Sequence, residues 1–408
     1  MRGTLRTLQG AAGAAVSRHG RRREADPVVR IRSRAVAVAC AAALAVAAAG
    51  CSESSSSSAG KPSVVAPGSG ARVSEPPGPT AATVPAPTVT GDVVTGLDAP
   101  WALARLPDGD TLVTDRDTGA ISRFGPHTTG VVEVGRVAGS VHRGEGGLLG
   151  LALSPAFDRD GLLYVYTTTA SDNRILRMHY SPDTGLGPAE VVLSGIPAGS
   201  NHDGGRIAFG PDGMLYAGTG ESGDKPLAQD PASLGGKILR MTPDGKPAPG
   251  NPRADSVVYT LGHRNVQGLA WDSAGRLWAS EFGQDTWDEI NLIVPGANYG
   301  WPVVEGQAGD PRFVDPKAQW PTSEASPSGI AISGDVIYMA ALRGERLWQI
   351  PIRGTEVGTP VAWFEGRYGR LRTVLALPDG TLWVLTNNTD GRGTPQPGDD
   401  RVLAVRLG

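Results

Sequence analysis

The chain has 408 residues and a formal net charge of −3, divided unevenly along its length. Residues 1–50 hold nine Lys and Arg against two Asp and Glu, a net of +7, so residues 51–408 carry −10, which disfavours nucleic acid as a partner. The only cysteines are Cys40 and Cys51, so the remainder of the chain has no disulfide and must be stabilised by a core or by bound metal.

In chain order, the arginine-rich start is followed by an apolar run over 35–49 that ends in Ala-Ala-Gly-Cys. A basic region, about fifteen apolar residues and small residues at the end predict a secretory signal over 1–50, not a spanning helix. Cys51 resembles the cysteine of a bacterial lipobox, which would be lipidated and would anchor the protein on the outer face of the membrane. Residues 51–91 are rich in Ser, Pro, Ala and Gly, too poor in apolar side chains to offset the entropy of ordering, and predict a flexible tether. The folded domain is then expected over 92–408.

Within it, six turn-and-strand signals recur: "LPDGDTLVTD", "DRDGLLYVYT", "GPDGMLYAGT", "DSAGRLWASE", "ISGDVIYMAA" and "LPDGTLWVLT". Each places a turn glycine before an alternating apolar strand, and each follows a strand of small apolar residues such as "WALARL" or "GRIAFG". The spacing of roughly 45–60 residues, with no long amphipathic helix between, predicts an all-β fold, a six-bladed β-propeller of four-stranded antiparallel blades. A β-sandwich would not repeat at this period. The final strand, "RVLAVRL", is expected to help close the ring against the first blade.

The repeat also sets a register for the polar residues. His202 of "SNHDGGR" lies eleven residues before turn glycine Gly213, and Arg264 of "GHRNVQG" eleven before Gly275. Arg370 of "GRLRT" lies ten before Gly380. Equivalent positions of successive blades project toward one end of the central channel, so a mouth lined by His202, Arg264, Arg343, Arg370, Arg372, Asn201, Asn265, Gln267 and Thr322 is expected. Several guanidiniums in one register suit a polyanionic ligand; taken singly, each also suits an ion pair across blades. His202 could be a structural histidine or a general base. It has no serine or cysteine nucleophile in view and no histidine partner at zinc spacing. The loop "SEFGQDTWDEINLIVPGANYGWP" (280–302) holds Glu281, Asp285, Asp288 and Glu289, oxygen donors of the kind Ca²⁺ takes.

Together "NHDGGRIAFGPDG", "LGHRNVQGLAW", "DEINLIVPGANYGWP", "WPTSEASPSG" and "GRLRTVLALPDG" resemble the soluble quinoprotein sugar dehydrogenases, over essentially all of 92–408. These are six-bladed propellers that use pyrroloquinoline quinone (PQQ) and Ca²⁺ and pass electrons to an external acceptor. The resemblance implies that His202, supported by Glu221, takes the proton of the sugar C1 hydroxyl while hydride passes to the quinone. It implies a PQQ cradle of Arg264, Asn265, Gln267, Thr322, Arg343, Arg370 and Arg372, and sugar contacts from Glu145, Asn201 and Trp320. The carbonyls of Gly283 and Gln284 would bind Ca²⁺, and Glu289 and Tyr299 match a second, structural calcium position. The chain departs from the best-known glucose enzymes at Glu145 (a glutamine there), Asn201 and Glu221 (aspartates), Arg343 (a lysine) and Gln284 (a proline). These departures set the chain apart from the best-known glucose enzymes and leave a non-catalytic propeller open; the family also includes broad-specificity aldose dehydrogenases of this shorter length. Two other classes compete: a calcium-dependent lactonase-type hydrolase, which needs carboxylates around a central ion, and a non-catalytic propeller binding a glycan or protein at the same mouth.

Overall fold

Each repeated turn-and-strand signal becomes the inner half of one sheet. The computed structural model describes residues 86–408; the signal over 1–50, Cys51 and the tether up to residue 85 lie outside the described residues. The first blade is Pro100–Arg105, Thr111–Asp115, Ala120–Phe124 and Val132–Arg136. The innermost strands of the next five are Leu148–Leu153, Ile207–Phe209, Val266–Trp271, Pro327–Ser333 and Leu371–Ala376. Each is followed by an antiparallel second strand that carries the apolar half of the repeat, as in Leu277–Glu281 and Thr381–Thr386. The hairpin turns use glycine where the backbone enters the left-handed region, with φ of 74° at Gly213 and 82° at Gly380. Each innermost strand packs beside that of the next blade and the sixth returns to the first, which closes a six-bladed ring.

Closure uses a strand from each end of the chain. Val402–Arg406 pairs with Thr381–Thr386 on one side and with Thr88–Val94 on the other. The first strand of the domain is therefore the outermost strand of the last blade, and it starts four residues ahead of the expected boundary at 92. "TVTGDVV" is mostly exposed and continues the Thr- and Val-containing run before it, so its composition reads as tether; pairing to the C-terminal strand makes it a strand.

The second strands are buried on both faces because blades stack face to face. Along Thr381–Thr386, Leu382 and Val384 pack with Tyr338, Ala340 and Leu347 of the fifth blade. Trp383 and Leu385 pack with Leu103, Val113 and Phe124 of the first. Alternation here separates two interfaces rather than core from solvent, and it supplies the apolar burial that a domain without disulfides needs.

Candidate active site

The segments entering the innermost strands, and the loops between second and third strands, meet at one end of the ring. A cavity of about 170 Å³ opens there, lined among others by Arg116, Arg343, Arg370, Arg372, Arg392 and Gln267. Its acidic lining is limited to Glu145 and Asp390. Asp390 accepts from Arg370 Nη2 at 2.9 Å and lies 3.6 Å from Arg372 Nη2. Burial opposes its ionisation, but these two guanidiniums hold Asp390 below its ordinary value. The pairing expected of isolated arginines is thus real for Arg370 and Arg372 with Asp390, for Arg392 with Glu145 and for Arg116 with Asp117, yet five guanidiniums face three carboxylates, and the excess suits an anion.

Below the cavity Arg372, one of its lining guanidiniums, meets one further guanidinium, the partly buried Arg206. Arg206, the last residue of "SNHDGGR", donates Nε to the Gln267 carbonyl at 2.8 Å and Nη2 to Thr373 Oγ1 at 3.1 Å. Arg372 donates to Asn387 Oδ1 at 2.8 Å and to Gln267 Oε1 at 3.0 Å. Both stack on Trp101, at 4.2 and 5.6 Å from its ring centre. Burial pulls each down to about 9, still charged at neutral pH.

His202 borders the cavity through Glu145, a lining residue whose Oε2 accepts the His202 backbone N–H at 2.9 Å. His202 Nδ1 lies 2.7 Å from Oε1 of the buried Glu221, whose other oxygen accepts the Gly223 N–H. That carboxylate favours the tautomer with hydrogen on Nδ1 and leaves Nε2 as acceptor, 3.3 Å from Asn201 Nδ2. The backbone of His202 is left-handed, φ 56°, a conformation that costs a non-glycine residue about 1–3 kcal/mol unless its surroundings impose it. They do: a Cβ at Gly220 would fall 1.9 Å from the His202 carbonyl oxygen, so only glycine admits this approach.

Arg264 and Asn265 enter from the next blade. Glu221 N–H donates to the Arg264 carbonyl at 2.9 Å, and Asn265 Oδ1 accepts from Gly204 N–H at 2.9 Å. The Arg264 guanidinium has no carboxylate partner among the described residues. Its buried Nε is unsatisfied, Nη1 reaches only the Phe282 carbonyl at 3.4 Å, and the group lies 5.5 Å from the Trp301 ring centre. Burial lowers it from its ordinary value. Arg264 is not among the residues lining the cavity, although its neighbour in the site, Phe282, is. A buried, unsatisfied donor of this kind is open to an anionic ligand.

The other predicted positions divide. The backbone N–H of Gly283 donates to Asp288 Oδ1 at 2.8 Å and that of Gln284 to Glu305 Oε1 at 2.7 Å. Neither carbonyl accepts a hydrogen bond within the described residues, so both remain open to a hard cation. The side-chain carboxylates of this loop form no cluster of three ligands among the described residues, although Glu281 and Glu289 share Asn291 Nδ2. Glu281 binds His263 Nδ1 at 2.7 Å, Asp288 caps Gly283 and Ser326, and Glu289 accepts from Asn291 and Gly306. Burial, with Glu281 nearby, pushes Glu289 up to about 8. The Tyr299 hydroxyl is used internally, on Leu292 and Val294. The described residues contain one cluster of three potential ligands, Asp108, Asp110 and His127, far from the loop in sequence, and there Arg123 bridges both aspartates.

Thr322 is half-buried in the turn after Ala318–Pro321 and is not among the lining residues. Trp320, expected to meet sugar, is 4% exposed and packs on Trp348 with ring centres 5.4 Å apart, in the core between the fourth and fifth blades. Its strand is the outer one of its blade, remote from the channel in the sheet order. Arg116, Arg392 and Asp390 were not foreseen: they lie in loops after second strands, a zone outside the register that picks out His202 and Arg264. The same frame explains His263, whose pairing with Glu281 repeats the His202–Glu221 pair one blade on, but fully buried and closed by Thr260.

Comparison with known proteins agrees with this frame. The sequence model of the glucose/sorbosone dehydrogenase family matches residues 97–394. The PQQ-bound aldose sugar dehydrogenase of Streptomyces coelicolor is 58% identical, with a TM-score of 0.77, over 79% of this chain and 98% of its own. The aldose sugar dehydrogenase YliI of Escherichia coli K12 is 28% identical over 337 residues, 72% of this chain and 89% of that one. Quinoprotein glucose dehydrogenase B of Acinetobacter calcoaceticus is 35% identical over 257 residues, 54% of each chain. Fold and relatives together define a six-bladed propeller oxidoreductase. The chain belongs to the glucose/sorbosone dehydrogenase family.

Proposed function

We propose that the protein is an extracytoplasmic quinoprotein that oxidises aldoses at C1 to lactones with PQQ and Ca²⁺ and hands the electrons to an external acceptor. The observation that carries this is the surplus of guanidinium at the mouth, to which the unsatisfied Arg264 Nε adds a further open donor. PQQ carries three carboxylates, and when bound it supplies a two-electron acceptor for the C1 hydride. Arg343, Arg370, Arg372 and Arg264 would hold the carboxylates, with Asn265 and Gln267 beside them. The Gly283 and Gln284 carbonyls would hold Ca²⁺. His202 Nε2 would accept the C1 hydroxyl proton, and Glu221 on Nδ1 would stabilise the imidazolium that results. The lactonase-type alternative needs carboxylates gathered round one ion, and of those over 281–289 only Glu281 and Glu289 approach each other, through a shared Asn291 Nδ2.

The signal over 1–50 and a lipid on Cys51 would tether the domain outside the membrane. Reconstitution of the purified full chain tests the reading. Aldose-dependent dye reduction should require both PQQ and Ca²⁺ and should stop on chelation by EGTA. Failure to bind PQQ would overturn it.

A further inference from the structure

Glu145 occupies the position at which the resemblance suggested a sugar contact, but its carboxylate is already spent. Oε2 accepts the His202 N–H at 2.9 Å and Oε1 accepts from Arg392 Nη1 at 2.8 Å. Its own N–H donates to the Ser200 carbonyl at 3.1 Å, and Arg143 Nε donates to the Gly199 carbonyl at 3.2 Å. A Cβ at Gly144 would lie 2.0 Å from the Ser200 oxygen, so the 143–146 turn is pressed against 199–202 as closely as glycine allows. On its other side, the carbonyl of His202 accepts the Ser222 N–H at 3.0 Å. His202 is thus held in its left-handed conformation by hydrogen bonds on both backbone groups, and Glu145 supplies one of them.

Arg392 comes from the loop between the second and third strands of the ring-closing blade. In that loop Asp390 Oδ1 accepts the Arg392 N–H at 2.9 Å, while Asp390 Oδ2 binds Arg370. One loop therefore grips the arginine cradle through Asp390 and the histidine turn through Arg392 and Glu145.

We propose that Glu145 is a positioning residue that locks the His202 backbone, and that Arg392 completes the lock and couples it to the arginine cradle. This rests on His202 being the base. The charged groups around His202 are Glu221 on its ring, Glu145 on its amide, Asp203 next in the chain, and Arg392, Arg143 and Arg264 beyond them. Burial opposes ionisation of Glu145, but Arg392 and the His202 amide hold it below its ordinary value, so the pair is fully charged at neutral pH.

Two measurements test the lock, on Glu145→Gln, Arg392→Gln and Arg392→Lys in the full chain. Arg392 is exposed, with 55% of its side chain open to solvent, so its variants should fold. The first is the titration of the His202 imidazole by NMR in the cofactor-free protein, assigned by its loss in His202→Ala. Glu145→Gln should lower it and Arg392→Gln, which leaves the carboxylate uncompensated, should raise it, each by about half a pH unit. The second is turnover of the reconstituted enzyme. Both Gln variants should lose about tenfold in kcat with KM for sugar within about twofold, and Arg392→Lys should recover most of the loss. A tenfold rise in KM with kcat and titration unchanged would make Glu145 a sugar contact and overturn the proposal. Titrations that move as stated with kcat unchanged uphold the lock and overturn His202 as the base.

Discussion

Arg264→Met separates a ligand-binding guanidinium from a structural one, because the two predict opposite signs. In the protein without ligand the Arg264 Nε is buried and unsatisfied, which costs about 1–3 kcal/mol. Methionine removes that cost at similar volume and gives up the contact with Trp301, worth about 0.5–1 kcal/mol. The net gain is about 0–2 kcal/mol, so Tm should stay level or rise by about 1–4 °C in this large domain. With PQQ the sign reverses. A charge-assisted hydrogen bond of about 1.5–3 kcal/mol is lost, which weakens Kd roughly 10- to 150-fold. Differential scanning calorimetry of the cofactor-free chain and fluorescence titration with PQQ measure the two quantities. An unchanged Kd, or a Tm lowered by more than about 5 °C, would refute the reasoning and make Arg264 part of the scaffold.

Asp203 gives a pH prediction. Burial pushes it up to about 6, above its unfolded value of 3.8, so its contribution to stability is full at low pH and is lost as pH rises through about 6. Asp203→Asn keeps the acceptor for Asn173 Nδ2 and the Gly199 N–H and puts an amide at the unsatisfied Oδ2 position. The variant should match the wild type near pH 4 and exceed it near pH 8 by about 2–3 kcal/mol in urea unfolding. Trp320→Phe should leave a void against Trp348, lower Tm by several degrees and leave sugar KM and PQQ Kd unchanged.

The propeller was legible because its inner hairpins repeat a turn glycine and an apolar strand, and the stacking of blades requires both. The outer strands carry no such signal: Val361–Trp363 is three residues long, and Thr88–Val94 is held only by its partner at the far end of the chain. Of the candidate residues in the repeat register, Arg370 lines the cavity, whereas His202 and Arg264 lie outside its lining. The site was not legible where loops of unequal length deliver residues, as with Arg116, Arg392 and Asp390. Nor could composition separate carboxylates that cap backbone N–H groups, such as Asp288, from carboxylates that gather round an ion. Glu145 shows the same limit. Its position near the mouth was readable, but its two partners come from segments 57 and 247 residues away.

The central claim is that His202 removes the proton from sugar bound beside the cofactor. His202→Ala should bind PQQ with unchanged Kd, since no cradle residue depends on the imidazole. Mixed rapidly with a saturating aldose and no dye, the wild-type holoenzyme should show a fast change in the absorbance of its bound cofactor. The variant should show that change slowed by about 10²–10⁴-fold. An equal rate in the two proteins would contradict the account.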